Sequence, residues 1–580
     1  MLYKDLVFAY QKIEATTKRL AMTDFLVDLI KRTPKDILGK MVYLTQGKLY
    51  PDYEGIEIGM AEKLVIRALA RAANISGNKI NNDLRKTGDL GESAQKFLPK
   101  PKKPLTIEKV WVTLDKIAKT GGEGSVEKKV NLLAEILSHS GGEESKYIIR
   151  TVTSRLRLGI ADMTMIDALS IVYGGGKANR GQIEKAYNNT SDLGTVAEIL
   201  SFKGLKAISR LGIIIGKPLR PMLTERLGDP KEILEKLGGK CAAEYKYDGE
   251  RVQAHKNGER VLLFSRRLEN ITDQYPDIVS LVKKYISAKR AIIDAETVAI
   301  NPETGEMRPF QDLMHRRRKH GIGKAMEDYP IALFVFDLLY SDGKDLTHKP
   351  YNFRREELKK VLKETDIIKL AQTQIISNVP ELDKLFEIAI EQGLEGLVCK
   401  SVQSDSVYQA GSRGWLWIKY KRDYKSEMIE PADLVIVGGF YGRGRRKATY
   451  GALLLASYDD KTDMFRTITK CGSGFTDKDL AEIPKKLKPY AVKHKHPRVD
   501  SKLVPDQWFT PGLVIEVIGA EITLSPIHTT AWDKIRKDSG LAIRFPRFTG
   551  HWREEKSPED ATTVSELVEM YQAQLKKIKK

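Results

Sequence analysis

The segment EYKYDGERVQ, residues 244–253, places a lysine between carboxylates and close to an arginine. On a β-strand, Glu244, Lys246 and Asp248 would face one way, because side chains alternate between the two faces. A lysine in such a setting is usually a salt-bridged surface residue. Arg251 supports a second interpretation, because a nearby cation or a bound metal favours the neutral amine, which is a nucleophile. The segment alone leaves both interpretations open.

Later segments carry side chains that could complete a nucleotide site around such a lysine. Cationic side chains suit phosphates, paired carboxylates can hold a hydrated Mg²⁺ or a ribose hydroxyl, and an aromatic ring can stack on a base. The side chains are Arg266 in FSRRLENIT, Asp294 and Glu296 in AIIDAETVAI, Phe336 in IALFVFDLLY, Glu395 and Lys400 in LEGLVCK, and Trp415, Trp417, Lys419 and Lys421 in WLWIKYKR. Each segment alone is a weak signal, since the tryptophans could be core residues and Asp294 could stabilise a sheet edge.

The elements that must position these side chains are short β-strands with helical segments between some of them. This pattern predicts an α+β domain of mostly antiparallel sheets over residues 213–423. Residues 242–267, AAEYKYDGERVQAHKNGERVLLFSRR, predict a meander with Asp248-Gly249 and Asn257-Gly258 as hairpin turns.

The two flanks differ from this centre. Residues 1–212 show helical spacing of apolar residues, as in AEKLVIRALARAANIS, VEKKVNLLAEILSHS and SKYIIRTVTSRLRLGI, which predicts an all-α domain. Residues 424–580 show short strands separated by glycines, which fit a β-barrel of the OB-fold type. They end in the amphipathic helix VSELVEMYQAQLKKIKK. A chain of 580 residues suggests about three or four domains, at about 150 residues per domain.

The charge of the chain favours a polyanionic partner. Its 97 lysines and arginines outnumber 77 acidic residues, for a net charge of +20, and the excess lies mainly before residue 211 and after residue 420. Basic flanks around a near-neutral centre suit a catalytic core whose neighbours hold nucleic acid. No stretch approaches the roughly 20 apolar residues of a membrane span, and the charged N-terminus is not a secretory signal. We therefore expect a cytoplasmic protein with no membrane partner.

In this order, KYDGER, the SRR segment, DAETV, FVFDLLY, EGLVCK and WIKYK resemble the motifs of the covalent nucleotidyltransferases, which include ATP-dependent DNA ligases, RNA ligases and mRNA capping enzymes. KPLRPML, SRLRLGI (154–160) and LAIRFPRF (541–548) extend the resemblance over nearly the whole chain, to ATP-dependent DNA ligases of the archaeal or eukaryotic replicative type. RNA ligases and guanylyltransferases share the KxDG core. The long helical N-terminal region and RFPRF favour a DNA ligase over these two, and the intact motif set argues against an inactive nucleic-acid-binding clamp.

A bacterial NAD-dependent ligase is a further relative to consider. The four-cysteine zinc module of that type cannot be built from three scattered cysteines, which are Cys241, Cys399 and Cys471. Their sparse, odd number also argues against a disulfide framework and fits a reducing compartment.

The resemblance implies a reaction in three displacements at phosphorus. Lys246 attacks the α-phosphate of ATP and keeps AMP, AMP passes to the 5′-phosphate of a nick in double-stranded DNA, and the 3′-hydroxyl then expels AMP. This chemistry serves DNA replication, repair and recombination, with ATP and Mg²⁺ as cofactors and Mn²⁺ as the alternative metal. The further roles implied are Glu244 against the adenine; Arg251 and Glu296 at the ribose; Phe336 stacked on the adenine; Arg266, Arg413 and Lys419 at phosphate; Glu296 and Glu395 at the metal; Lys400 and Lys421 as additional phosphate contacts; and Arg544 and Arg547 orienting the pyrophosphate.

Two further segments bear on partners. The segment AQKFLP, residues 94–99, lies in the loop where some relatives carry a peptide that binds the sliding clamp. Here only Gln95 and Phe97 match that peptide, so a solvated linker is the competing interpretation. The run HRRRKH, residues 315–320, could be a nucleic-acid patch or a basic loop at a helix end. The family expectation is a monomer.

Overall fold

The structure is a computed structural model in which the described residues form two units. One is drawn from residues 1–420 and the other mainly from residues 421–580. The description covers the chain except residues 99–103, 301–306, 309, 317–320, 393, 422–429, 443–448, 520, 526, 545 and 577–580. None of the described helices has the length and apolar character needed to cross a bilayer.

Residues 1–210 form helices, because apolar side chains recur every three or four residues and one face of each helix is buried. In the fourth helix, for example, Val65, Ile66, Ala68 and Leu69 are buried. The helices are α1 (Tyr3–Glu14), α2 (Arg19–Arg32), α3 (Leu38–Thr45), α4 (Glu62–Ala73), α5 (Gly77–Thr87), α6 (Leu90–Phe97), α7 (Ile107–Lys119), α8 (Ser125–His139), α9 (Gly142–Val152), α10 (Asp162–Tyr173), α11 (Arg180–Thr190) and α12 (Leu193–Ser209). The predicted all-α N-terminal region is confirmed.

One helical prediction extends too far along the chain. The pattern SKYIIRTVTSRLRLGI suggests a helix through residue 160, but α9 ends at Val152. Ser154 and Arg157 then adopt positive φ angles of 54° and 59°. A left-handed residue interrupts an α-helix, so SRLRLGI forms a loop.

The α+β region that follows contains two sheets and the helices packed on them. The strands are β1 (Leu223–Arg226), β2 (Cys241–Lys246), β3 (Glu250–Asn257), β4 (Arg260–Ser265), β5 (Arg290–Ala299), β6 (Ile331–Ser341), β7 (Lys344–Asp345), β8 (Ile368–Leu370), β9 (Thr373–Ile376), β10 (Gly396–Ser401) and β11 (Arg413–Lys421). The helices are α13 (Pro230–Lys236), α14 (Pro276–Tyr285), α15 (Phe310–Met314), α16 (Ile322–Asp328), α17 (Tyr351–Val361) and α18 (Val379–Glu391). These bounds agree with the strands predicted around the motifs.

The two sheets are mostly antiparallel, as predicted. The first has the order β1-β11-β10-β2-β9, and the second has the order β4-β3-β5-β6-β7 with β8 beside β6. β1 pairs with β11 and β6 with β8 in parallel, whereas β2 pairs with β9 and β10, β3 with β4 and β5, and β6 with β5 and β7 in antiparallel fashion. A core of apolar residues from the second sheet, α14 and α17 stabilises this part of the α+β region.

The two predicted hairpin turns have different outcomes. Asn257-Gly258 does turn β3 into β4, and Gly258 has a φ of 59°. The Asp248-Gly249 prediction is wrong, because β2 and β3 belong to different sheets and the chain crosses between them there. Gly249 is needed for another reason, since a Cβ at this position would lie 2.2 Å from the carbonyl oxygen of Thr297.

We expect Gly249→Ala to destabilise the fold by about 1–3 kcal/mol, the usual cost of overpacking. The atom that the new methyl group would strike is backbone in β5, which is held in register with β3 and cannot easily move. Urea unfolding of the full chain measures the change. Gly121→Ala is the matched control, because nothing lies within 4 Å of a Cβ placed there, and an equal loss in both variants would contradict the explanation.

The second unit is dominated by β-strands and ends in a helix. Its strands are β12 (Ala432–Tyr441), β13 (Tyr450–Asp459), β14 (Met464–Cys471), β15 (Ala491–Val492), β16 (Val499–Asp500), β17 (Gln507–Phe509), β18 (Val514–Ile518), β19 (Glu521–Ser525), β20 (Gly540–Arg544) and β21 (Arg547–Trp552), and its helices are α19 (Asp477–Leu487) and α20 (Val564–Lys576). The strand β18 pairs with both β12 and β21, which curls the sheet.

The C-terminal helix α20 packs on this curled sheet through its predicted apolar stripe. Val564 and Leu567 are buried, and Val568 and Tyr571 pack against the same core. Gln574 exchanges two hydrogen bonds with the backbone of Ile522, at 3.0 and 3.1 Å. The predicted C-terminal barrel domain with its closing helix is confirmed. The domain boundaries at residues 212 and 423 remain predictions.

Candidate active site

A cavity of about 440 Å³ opens between the two sheets of the α+β region. One wall comes from β2, β10 and β11, and the other from β3, β5 and β6. The lining includes Met222, Leu223, Thr224, Glu244, Tyr245, Lys246, Tyr247, Gly249, Glu250, Arg251, Arg266, Arg267, Glu296, Phe310, Met314, Phe336, Glu395, Val398, Lys400 and Trp417. Most of the predicted nucleotide-site residues are thus brought to one place from segments far apart in sequence.

Lys246 is the last residue of β2. Its side chain contacts Glu395, which directly precedes the neighbouring strand β10. Its Nζ is 2.8 Å from Oε2 of Glu395, and the amide of Glu395 donates a hydrogen bond to the Lys246 carbonyl at 3.0 Å. The two side chains are 23% and 25% exposed, so a ligand in the cavity can reach both. The ion pair orients the amine toward the cavity.

Glu296 is the second carboxylate of the cavity. Burial raises its pKa to about 8, even though Lys246 and Arg251 nearby favour the charged form. Asp294 lies on the same face of β5 but is fully buried and bound by Arg251 at 2.7 Å and by the Tyr408 hydroxyl at 2.8 Å. Of this pair, Glu296 is therefore the one available to a ligand.

Arg251 is fixed by several partners, and its Nε still offers a donor. Its guanidinium donates to the Met222 carbonyl at 2.9 Å, to Asp294 at 2.7 Å and to the Tyr408 hydroxyl at 3.1 Å. Burial opposes its charge, but Asp294 outweighs this and raises the Arg251 pKa. Its Nε is buried without a partner among the described residues, which costs free energy unless a ligand accepts the bond.

The opposite end of the cavity is aromatic. Phe336 from β6 and Trp417 from β11 meet edge to face, with ring centroids 6.2 Å apart. Lys400 lies 4.8 and 4.6 Å from these two rings, and its Nζ is 2.6 Å from Oε1 of Glu244. The Lys400 ammonium is therefore engaged with a carboxylate at the aromatic end, which disfavours the phosphate contact predicted for it.

The remaining predicted residues of this unit lie at the rim of the cavity or outside its lining. Arg266 lines it and is exposed. Arg413, Lys419 and Lys421 lie on β11 but do not line the cavity. In the second unit, Arg544 pairs with Glu521 at 2.9 Å, and Arg547 is exposed at the start of β21.

Several residues of the site were missed by sequence reasoning. Arg267 could have been found, since it directly follows Arg266 in the SRR segment. Tyr408, which binds both Arg251 and Asp294, and Phe310 and Met314, which line the cavity from α15, offer no local signal. They reach the site only through the tertiary fold.

The two segments predicted to contact partners also have definite positions. Gln95 and Phe97 form the last turn of α6 and not a loop, and Phe97 lies between Lys79 and Lys96. Pro99 lies outside the described residues. In the run HRRRKH, Arg316 is fully buried and forms two bonds to Asp277, at 2.8 and 2.9 Å. Residues 317–320 lie outside the described part of the chain, so only their basic character is known.

Two sheets enclose a cavity lined by a strand-end lysine, two carboxylates and two aromatic rings, which fits the class that the motifs resemble. This is the architecture of a covalent nucleotidyltransferase, in which a strand-end lysine takes up a nucleotide.

Comparison with known proteins narrows this class to one family. Family models match residues 2–170 (DNA ligase N terminus), 221–421 (ATP dependent DNA ligase domain) and 446–556 (ATP dependent DNA ligase C terminal region). A DNA ligase 2 of Thermofilum pendens is 54% identical, covering 99% of this chain and 98% of its own. A probable DNA ligase of Aquifex aeolicus is 52% identical, covering 99% of both chains. A solved structure named Pmar-Lig_PreS3 has a TM-score of 0.54 at 17% identity and covers 94% of this chain and 99% of its own.

The chain belongs to the ATP-dependent DNA ligase family, whose standard reaction is the sealing of nicks in DNA with ATP. This family assignment replaces the alternatives that the sequence left open, which were an RNA ligase, a guanylyltransferase and an inactive clamp. The fold class predicted from the sequence is confirmed at the same time.

Proposed function

We propose that Lys246 is the nucleophile of the first step and that the cavity between the two sheets holds the ATP. The Lys246 nitrogen forms a bond to the α-phosphorus of ATP, and the bond to the pyrophosphate oxygen breaks. The observation that supports this best is the position of Lys246 at the end of β2, where its amine contacts Glu395 at 2.8 Å in the same cavity that Glu244 and Phe336 line. Holding the reacting atoms in line supplies much of the rate enhancement of such a displacement.

The carboxylate end fits a divalent cation. Mg²⁺ in nucleotide enzymes is usually held by one or two carboxylates together with water and substrate phosphates, and Glu296 and Glu395 both line the cavity. We assign these two side chains to the metal. When bound, Mg²⁺ would neutralise the developing charge on the phosphates, with Mn²⁺ as the alternative ion.

The aromatic end fits the base and ribose. Phe336 offers a face for adenine, and Glu244 offers oxygens that can only accept hydrogen bonds while they are charged. The buried Nε of Arg251 supplies a donor to a ribose oxygen, and Glu296 lies close enough to share that sugar. Arg266 at the cavity rim is assigned to phosphate.

Later steps use groups outside the described cavity. AMP leaves Lys246 for the 5′-phosphate of the nick, and the 3′-hydroxyl then attacks that phosphate and expels AMP. We assign Arg413, Lys419 and Lys421 to phosphates, and Arg544 and Arg547 to the pyrophosphate of the first step. This last assignment requires the second unit to change position between steps.

The remaining proposals concern partners and setting. We propose that the enzyme acts as a monomer at the nucleoid, in the cytoplasm, and that the α6 end at Gln95 and Phe97 is the candidate contact for a sliding clamp. The ammonium groups of Lys79 and Lys96 lie 5.5 and 5.4 Å from the Phe97 ring at this contact.

The proposed function is tested by the intact mass of the protein, measured after incubation with ATP and Mg²⁺ and again after addition of a nicked duplex. We expect an added AMP mass that disappears as the nick is sealed. An adduct that persists with nicked DNA but transfers to nicked RNA would contradict DNA as the substrate. Absence of an adduct with any nucleotide would contradict the covalent mechanism.

A further inference from the structure

The Lys400–Glu244 pair is the feature of the cavity that the three displacement steps leave unexplained. Lys400 and Glu244 are 1% and 3% exposed, so both charges are removed from water. Burying a charge is costly unless it is paired and hydrogen-bonded. A buried ion pair at the aromatic end, to which the three displacements assign no role, calls for a function of its own.

The pairing follows directly from the register of the strands. Glu244 on β2 lies opposite Val398 on β10, and Lys400 lies two residues beyond Val398 on the same face. Diagonal neighbours of this kind are within reach of long side chains. The result is a 2.6 Å contact between Nζ of Lys400 and Oε1 of Glu244.

Burial disfavours both charges, because it lowers the pKa of Lys400 and raises the pKa of Glu244, and several neighbouring groups act against this. The Lys400 ammonium lies 4.6 Å from Trp417, 4.8 Å from Phe336 and 5.2 Å from Tyr351, so ring faces replace part of its lost hydration. The second oxygen of Glu244 accepts a hydrogen bond from the Thr373 hydroxyl at 3.3 Å. Arg355 approaches that oxygen at 3.8 Å.

The charge state of Glu244 decides which hydrogen bonds it can make. A carboxylate only accepts, whereas a protonated carboxyl can also donate. Adenine presents an amino donor at position 6, and guanine presents an oxygen acceptor there. Burial raises the pKa of Glu244, and the Lys400 charge opposes that rise. Without the lysine, the carboxyl would take up a proton more readily and could then satisfy a 6-oxo purine.

We propose that Lys400 is a positioning residue for base selection. Its ammonium holds Glu244 as a charged, oriented acceptor, so that the cavity takes a purine with an amino group at position 6 in preference to one with an oxygen there. The proposal rests on the adenylylation of Lys246 proposed above, and it replaces the phosphate contact predicted for Lys400.

The test compares ATP with GTP in single-turnover formation of the enzyme–nucleotide adduct by the full-length protein. We expect Lys400→Met to lower the ratio of ATP to GTP efficiency by at least about tenfold, mainly through a higher half-saturating ATP concentration. Lys400→Arg keeps the charge and should recover most of the selectivity. Lys236→Met is the control, since Lys236 lies over Trp415 on the exposed surface, and its ratio should equal that of the unmodified protein.

An equal loss of efficiency with both nucleotides, or an unchanged ratio, would overturn the proposal. If Lys400→Met does not fold, Glu244→Gln decides the question, because its neutral amide can donate to a 6-oxo group. The same tenfold fall is then expected, and an unchanged ratio overturns the proposal. Failure of the unmodified protein to form any adduct would instead overturn the proposed function, together with this inference.

Discussion

Lys246→Ala is expected to form no AMP adduct and to seal no nick, a loss on the order of 10⁴-fold or more in adenylylation. The amine that would bond to phosphorus is absent, and no other lysine among the described residues lines the carboxylate end of the cavity. Binding to a nicked duplex should change by no more than about threefold, because affinity for DNA is spread over many phosphate contacts. Intact mass and gel-shift titration measure the two quantities.

Two further variants distinguish the loss of the nucleophilic amine at residue 246 from the loss of its positive charge. Lys246→Arg keeps a cation beside Glu395 but offers no free amine, so it should also form no adduct. Lys236→Ala removes an exposed lysine from the same unit and should leave both steps unchanged. An acid-labile AMP adduct in either Lys246 variant would exclude Lys246 as the nucleophile.

Much of this site follows from local sequence. The strands around Glu296 and Phe336 are predicted within one residue at most ends, because alternating and continuous apolar runs are typical of half-buried and buried strands. The motif residues Lys246, Arg251 and Glu395 also meet in one cavity, as the family resemblance implies.

What the sequence does not predict depends on contacts between distant segments. An Asp-Gly pair predicts a hairpin whether the next strand returns to the same sheet or crosses to another, so Asp248-Gly249 is locally ambiguous. The close approach of the Thr297 carbonyl is what decides the need for Gly249. In the same way, Lys400 is predicted as a phosphate contact and Arg316 as part of a nucleic-acid patch or basic loop, yet each is buried against a carboxylate supplied by another element.

A second large effect is expected for the Mg²⁺ dependence of adenylylation, because the metal assigned to Glu296 needs a charged carboxylate as its ligand. Its pKa of about 8 means that only about a tenth of the groups are ionised at pH 7 in the ligand-free protein. Below pH 8, the Mg²⁺ concentration that gives half-maximal adenylylation should therefore fall about tenfold for each added pH unit, and above pH 8 it should level off. A change at Lys246 would alter the rate of adenylylation at every Mg²⁺ concentration. The half-saturating Mg²⁺ concentration therefore reports on Glu296 and not on Lys246.

The raised pKa of Glu296 also affects stability, and the sign is fixed by the direction of the shift. The folded chain keeps this proton between the usual value of 4.5 and about pH 8, where the unfolded chain has lost it. The contribution of Glu296 to the free energy of unfolding is therefore fully present below pH 4.5 and is lost as pH rises through about 8. Urea unfolding at a series of fixed pH values measures this contribution to the free energy of unfolding.

Glu296→Gln should remove both pH effects and slow adenylylation on the order of a hundredfold, since a carboxamide is a weak ligand for Mg²⁺ and cannot balance its charge. Glu259→Gln is the matched control, because Glu259 is exposed in the turn between β3 and β4 and is remote from the cavity lining. A half-saturating Mg²⁺ concentration that does not vary with pH in the unmodified protein would contradict Glu296 as the metal ligand. It would then move the metal assignment toward Glu395, whose carboxylate lies beside Lys246 on the other wall of the cavity.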